Sequence, residues 1–388
     1  MNLPHPASLT RQFHAVFGRA PAVIARAPGR IEFIGNHTDY NGGAVLGAAI
    51  DRYVWVVAAA NPDGRLRFYS ASAGVMLELP ADPGMRLTGA DSWTNYPLGV
   101  WRGLQDLRLP RPAGFDLLVE SNLPAGAGLS SSAALELATG LALLALAGAS
   151  IPPAQLAALG RLAENQYVGV PCGILDQGTC AFGRAGQLVH IDCRGPYFSR
   201  VPLPPAAHLW IFNTREKHAL IDGLYAARHR ECLEAAAALG TAQLADLTPA
   251  QFLAAEGRLS PLLARRARHI VLEHARVAET VTALERGDLA AAGRLLTASH
   301  RSSQQLFENS TPALDQLVDL LVTHPAVYGA RLTGGGFGGA VVALTSGAFT
   351  ERDAQAVLAP YAATHGRAPE VLHLRSADGA QVIWRAEA

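Results

Sequence analysis

Residues 115–148 read FDLLVESNLPAGAGLSSSAALELATGLALLALAG: a strand-like run, a glycine/serine turn and a long apolar stretch. FDLLVES has the length and composition of a strand, and AALELATGLALLALAG those of a helix that packs inside a domain. Between them, Gly126, Ala127 and Gly128 are small enough for backbone to approach a ligand closely. Ser130, Ser131 and Ser132 place hydroxyls and N–H groups at a helix N-terminus, where the macrodipole favours an anion. Two readings of this turn stay open, a phosphate cradle and a serine N-cap after a glycine turn. Either way, strand, turn and buried helix in succession predict a chain of mixed α and β structure.

Working outward, residues 22–57 alternate short apolar runs (AVIA, AVLGAAI) with PGR and NGG, which reads as strands joined by glycine turns. RLRFYS and VMLELP continue the sheet, and WTNYPLGVWRGLQDL carries apolar residues at helical spacing. Downstream, HLWIFN is a strand after a proline cluster. Leu263, Ala267, Ile270, His274, Val277, Val281 and Leu284 step by three and four along one helix face. LAAAGRLLTASH is a further helix, and GAVVALTS, VLHLRS and AQVIWRA return to strand. The length of 388 residues is compatible with two or three domains, or with one large α/β unit carrying insertions, and the proline cluster places a boundary near residue 203, giving 1–203 and 204–388.

Composition excludes several classes. Hydrophobic residues make up 49% and charged residues 16%, with 32 basic against 32 acidic, so neither disorder nor a polyanion-binding surface is indicated, and nucleic acid is not an expected partner. The one lysine, Lys217, lies in TREKHA, which is neither a Walker A loop nor a protein-kinase strand, so phosphate would be handled by other means. Cys172, Cys180, Cys193 and Cys232 match no zinc or CxxC spacing and read as small core residues. The N-terminus lacks a signal peptide's basic and apolar regions, and the longest apolar run, 137–149, is too short to span a bilayer. A soluble, cytoplasmic, reduced protein with no membrane association and no evident protein partner is expected.

Three further clusters could carry chemistry. APGRIEFIGNHTDYNGG (27–43) puts Arg30, Asn36, His37 and Asp39 on one turn-rich segment, which reads as the wall of a polar ligand's site, although His37 alone could be a core histidine and Asp39 alone a turn residue. AENQYVGVPCGILDQGTCAFG (163–183) sets Glu164 and Asp176 in apolar surroundings, where an acid needs a cation or donors. LTGGGFGGAVVAL (332–344) contains a formal GxGxxG at Gly334, Gly336 and Gly339, weak as a dinucleotide fingerprint because a strand follows. Tight turns or close approach to a ligand would each explain its glycines.

Taken together and in this order, GRIEFIGNHTDYNGG, PAGAGLSSSAA, GVPCGILDQ and LTGGGFGG resemble the galactokinase family, of the superfamily shared with homoserine, mevalonate and phosphomevalonate kinases. SWTNYPLGV, LVHIDCR, KHALIDGLYAARHREC and SHRSSQQLFENSTPALDQL extend the resemblance from about residue 10 to the C-terminus. It implies a two-domain α+β fold with the active site in the interdomain cleft, and direct transfer of the γ-phosphoryl group of ATP to O1 of a sugar with no covalent enzyme intermediate. Carried over by position, it makes Asp176 the general base and Arg30 its neighbour, stabilising charge as the sugar oxygen attacks. It assigns Gly126, Gly128, Leu129, Ser130 and Ser131 to the nucleotide. Mg²⁺ falls to Ser132, or its neighbour Ser131, and to Glu164, hard oxygen ligands for an octahedral ion. The sugar falls to Asn36, His37, Asp39, Gly173 and Tyr225, with Asp39 reading O3 and O4.

The family's EHTDY appears here as Asn36-His37-Thr38-Asp39-Tyr40. The family glutamate is expected to accept from the C6 hydroxyl, whereas Asn36 is neutral and can accept or donate. A glutamate would repel a C6 carboxylate that an amide could bind. The resemblance therefore implies galactose first, a sugar altered at C6 (galacturonate) or lacking it (L-arabinose) as the alternative, and a non-catalytic sugar or ATP sensor as a remote third.

Overall fold

A computed structural model describes residues 4–80, 84, 86–124, 128–170, 172–217 and 221–386 of the chain, with backbone only at 216, 217, 221 and 222. Pro6 in the first turn and a left-handed Gly18 (φ 68°) bound α1 (Pro6–Phe17), which lays Leu9 and Phe13 against the sheet. β1 (Val23–Ile34) and β2 (Ala44–Ala60) form a long antiparallel pair around the turn 35–43. β3 (Leu66–Ser70) and β4 (Val75–Leu79) make an edge hairpin. After α2 (Asn95–Asp106), β5 (Phe115–Ser121) enters between β2 and β3, parallel to β3.

The apolar stretch that follows is α3 (Ser131–Leu146), as expected from its pattern. Leu135, Leu137, Ala138, Leu143 and Leu144 are all buried, because α3 lies between the sheet and the helices α2, α4 (Pro153–Leu162) and α5 (Leu175–Phe182). The hairpin of β6 (Gln187–Asp192) and β7 (Tyr197–Pro202) completes an eight-stranded sheet by pairing β6 with β2.

A second sheet starts with β8 (His208–Lys217). Five helices come next: α6 (Ile221–Leu239), α7 (Pro249–Ala255), α8 (Pro261–Glu285), α9 (Leu289–Ser302) and α10 (Pro312–Val322). Three of them begin in one way, with Thr248, Ser260 and Thr311 accepting from the first turn and Pro249, Pro261 and Pro312 just inside. β9 (Val327–Thr333) and β10 (Gly338–Thr345) form a hairpin around the third glycine cluster, and after α11 (Glu351–His365), β11 (Glu370–Leu374) closes the sheet in the order β11-β8-β10-β9.

The chain passes from one sheet to the other between Pro202 and His208, beside the expected boundary. The expected second unit, 204–388, requires one correction: β12 (Gln381–Arg385) crosses back and pairs with β1 at the edge of the first sheet. The two sheets also share a core, in which Ile31, Phe33 and Leu46 pack with Leu209, Ile211, Val277, Leu296 and Val342. That core fixes how β1 faces the second sheet, and β1 carries the site. Ile31 and Phe33 point into it, so the alternating Arg30 and Glu32 turn to the other side. The β1–β2 register shifts at Pro28/Arg30 and again at Glu32/Ile34, irregularities that commonly re-aim side chains at functional sites.

Candidate active site

The glycine/serine turn departs from an ordinary capped helix. Ser130 takes the N-cap position of α3 in a left-handed conformation (φ 55°, ψ 50°), yet its side chain caps nothing. Its Oγ instead donates to Asp176 Oδ2 at 2.6 Å. The first-turn N–H groups of α3 therefore have no side-chain acceptor from their cap, which leaves them for an anion. Gly128 (φ 65°) and Ser131 are exposed, Leu129 is buried and Ser132 is half-buried. Gly126 lies outside the described residues.

β1 holds this turn in place. Arg30 N–H donates to Leu129 O at 3.0 Å and Arg30 Nη1 to Gly128 O at 2.7 Å. The close approach explains the glycine of PGR: a Cβ on Gly29 would lie 2.6 Å from Leu129 O and 2.4 Å from Leu123 Cδ2. The same guanidinium then reaches Asp176, in the first turn of α5, with Nε at 2.8 Å and Nη2 at 2.6 Å, both on Oδ1. Burial works against the Arg30 charge, but Asp176 beside it holds its pKa above the ordinary value. One oxygen of Asp176 thus meets Arg30 and the other meets Ser130.

Behind Asp176 lies an acidic pair. Gln177 Nε2 donates to Glu164 Oε2 at 2.6 Å and to Glu136 Oε2 at 3.0 Å. Burial raises the Glu164 carboxyl and the Asp176 charge raises it further, against a hydrogen bond from Ser132 that lowers it. Ser132 and Glu164 are therefore already in contact at the helix N-terminus, two hard oxygen donors of the kind magnesium takes. With two protein oxygens, this donor set suits an ion that completes its shell with phosphate and water; among the described residues no group of three or more His, Cys, Asp or Glu could hold a metal.

The 35–43 turn forms the opposite wall. Thr38 Oγ1 bonds Gly35 O at 2.8 Å and Ala44 O at 2.7 Å, and His37 sits in the left-handed region (φ 60°). A buried carboxylate from α8 pins the backbone: Glu273 Oε1 accepts from Gly35 N–H at 3.1 Å, Asn36 N–H at 3.2 Å and Ser299 Oγ at 2.6 Å. Burial would raise the Glu273 carboxyl, but Arg276, at 2.7 Å from Oε2, with His269 and Arg331 brings it down to about 2.

Asp39, Gly173 and Tyr225 line one cavity. A Cβ on Gly173 would fall 1.8 Å from Asp39 Oδ2, so only glycine leaves room for that carboxylate. Burial, and then the Glu32 charge, push Asp39 up to about 7. His37 and Asn36 line the same cavity but are differently engaged. His37 Nε2 donates to Gly335 O at 2.9 Å, leaving Nδ1 to accept from Tyr40 Oη at 2.7 Å, and burial lowers its pKa to about 3. The Asn36 amide bonds Glu32, Gly334, Ser303 and Asn309.

The third glycine cluster resolves as a hairpin turn packed on this wall. Gly334 and Gly335 offer their carbonyls to Asn36 and His37, and a Cβ on Gly336 would lie 2.2 Å from Asn309 O. The whole encloses a cavity of about 300 Å³, a size suited to one small molecule, lined from Asp176 and Arg30 at one end to Asn36 and His37 at the other. Three polar residues of the site escaped the sequence reading: Glu32, which lines the cavity, and behind its wall Glu273 and Arg331, whose fully buried guanidinium bonds Glu32 Oε1 at 2.9 Å. All four cysteines are unpaired; Cys180 and Cys232 are buried as expected of core residues, but Cys172 lines the cavity and Cys193 is half-buried. Among the described residues no helix is long and apolar enough to cross a membrane.

Residues 11–60 match the galactokinase galactose-binding signature, 95–184 the GHMP kinases N terminal domain and 280–366 the GHMP kinases C terminal. The chain is 39% identical to galactokinase of Homo sapiens over 97% of its length and 96% of that protein. It is 37% identical to galactokinase of Chloroflexus aggregans, covering 97% of each. A crystal structure of Lactococcus lactis galactokinase complexed with galactose superposes with a TM-score of 0.92 at 32% identity, covering 97% of this chain and 99% of that one. Methanococcus jannaschii mevalonate kinase shares the fold, at TM-score 0.66 and 19% identity, covering 93% and 100%.

Proposed function

The chain belongs to the galactokinase family, and from that membership we propose that it transfers the γ-phosphoryl group of ATP to the anomeric O1 of D-galactose. The observation that carries the reading is the placement of Asp176 at the junction of two sites. One of its oxygens is held by Ser130 at the end of the phosphate loop and the other by Arg30, on the floor of a cavity sized for one sugar.

The chemistry follows from these positions. The exposed N–H groups at the start of α3, with Gly126, Gly128, Leu129, Ser130 and Ser131, cradle the phosphates of ATP. Ser132 and Glu164 would hold Mg²⁺, which would supply neutralisation of charge on the phosphates. Asp39, Gly173 and Tyr225 orient the sugar with O1 toward Asp176. An anomeric hydroxyl is a far weaker acid than a carboxylic acid, so Asp176 takes its proton late, and most of the rate comes from positioning and charge stabilisation. Arg30 stabilises the negative charge that develops between sugar oxygen and phosphorus. A non-catalytic sensor is disfavoured by the assembly of base, cation and phosphate loop, and a C6-altered sugar by the galactokinase relatives.

Purified protein incubated with ATP, Mg²⁺ and galactose, galacturonate, N-acetylgalactosamine, L-arabinose or glucose tests the reading. Turnover greatest with galactose, with phosphorus NMR placing phosphate on C1, is the expected result. Turnover confined to another sugar, or phosphate on another carbon, would refute it.

A further inference from the structure

Glu32 is a carboxylate in the sugar cavity that the signature leaves without a role. It follows Arg30 by two positions on β1, so strand alternation puts both side chains on the cavity face while Ile31 and Phe33 go to the core. Its Oε1 accepts from Arg331 Nη2 at 2.9 Å and from Asn36 Nδ2 at 3.1 Å. Its Oε2 makes no hydrogen bond among the described residues. Asn36 is the reverse case. Nδ2 gives its hydrogens to Glu32 Oε1 and to Gly334 O at 2.8 Å, while Oδ1 accepts from Asn309 Nδ2 at 2.7 Å and Ser303 Oγ at 3.3 Å. A primary amide has two donors and two lone pairs, so nothing remains for a ligand. His37 has a partner on each ring nitrogen as well.

We propose that Glu32, and not Asn36, is the specificity residue at the end of the sugar remote from the anomeric carbon, accepting the C4 or C6 hydroxyl through Oε2. The inference rests on the reading of the protein as a galactose 1-kinase. Arg30 marks the reacting end, and two residues of strand carry Glu32 about 7 Å further along, toward the far side of a pyranose ring bound at Asp176. Arg331 and Asn36 fix the carboxylate before any sugar arrives, so Asn36 acts as a positioning residue. The consequence for C6 acids is opposite to that of a neutral amide facing the sugar: a C6 carboxylate meets the Glu32 charge and is rejected.

The test measures kcat/KM of the wild type and Glu32→Gln with galactose, its 4-deoxy, 6-deoxy, 4-fluoro and 6-fluoro analogues, and galacturonate. For the wild type, removing one of the two hydroxyls should lower kcat/KM by about 10- to 100-fold, the scale of one hydrogen bond to a charged group. Fluorine there should be worse than hydrogen, since it cannot donate and confronts a carboxylate. Glu32→Gln should be slower on galactose and nearly indifferent to loss of that hydroxyl. Galacturonate should be a poor substrate. Equal losses for both deoxy sugars in wild type and variant, or a wild type that turns over galacturonate as well as galactose, would overturn the assignment of Glu32 alone. No turnover of galactose by the wild type would overturn the functional reading and this inference with it. Should the variant not fold, the wild-type comparison of fluorine with hydrogen decides: a fluoro sugar at each position as good as galactose overturns the proposal.

Discussion

Ser130 Oγ donates to Asp176 Oδ2 at 2.6 Å, so the residue that ends the proposed phosphate loop also orients the proposed base. Ser130→Ala removes this hydrogen bond and no cap, because the side chain caps nothing. It should lower Tm modestly and kcat by about 10- to 100-fold, the scale of one hydrogen bond to a charged group. Steady-state kinetics beside a thermal melt check both parts.

Gly173→Ala addresses the sugar wall separately from the nucleotide. The added methyl would begin 1.8 Å from Asp39 Oδ2 and must displace that carboxylate. KM for galactose should rise by at least about tenfold, equivalent to one lost hydrogen bond to a charged group, while KM for ATP stays near wild type. A matched rise in both would place the effect elsewhere.

Asp39 also predicts a pH dependence. Burial and the Glu32 charge raise its folded pKa to about 7, with Asp176 adding to the effect, so the accepting carboxylate forms as pH rises through neutrality. kcat/KM for galactose should climb between about pH 6 and 8, and Asp39→Asn should flatten that limb. The stability effect has the opposite sign. Because the folded pKa exceeds the ordinary 3.8, the Asp39 contribution is fully present below 3.8 and lost as pH rises through about 7.

Glu273 works the other way. Its folded pKa of about 2 lies below the ordinary 4.5, so its contribution is present above 4.5 and lost as pH falls toward 2. Glu273→Ala strips the Gly35 and Asn36 N–H groups and Arg276 of their buried partner, which should cost about 3–5 kcal/mol. Chemical denaturation at neutral pH reads the loss, and the variant's stability should fall less steeply than the wild type's between pH 4.5 and pH 3.

The contrast between α3 and Glu32 shows what was legible in the sequence. α3 announced itself through a local apolar run, and the α8 stripe of Ile270, His274 and Val277 through local periodicity, so both helices were readable from neighbours alone. The candidate site residues named from the sequence likewise sat in contiguous segments: the serine turn, Asp39 in HTDY and Asp176 in GILDQ. Glu32 sits in IEFI, where alternation marks only a residue turned away from its neighbours. Whether it faces solvent or a cavity depends on register shifts in β1 and on Arg331, which lies far along the chain. Asn36 looked free for the same reason, since three of its partners, Ser303, Asn309 and Gly334, come from the other end of the sequence. Glu273 lies beside the α8 stripe, and β12 returns to β1 across most of the chain, so long-range pairing decided both.

The most direct test of the central claim is single-turnover and steady-state phosphorylation of galactose by Asp176→Asn. The substitution is nearly isosteric and can retain contacts with Arg30 and Ser130, but it cannot take the O1 proton. The expected result is a folded variant with a lowered Tm, because the buried Arg30 loses its counter-charge, galactose and ATP still bound, and kcat lowered by about 10² to 10⁴. A folded variant that makes galactose 1-phosphate within about tenfold of the wild-type rate would contradict the role given to Asp176, since a positioned base contributes more than that.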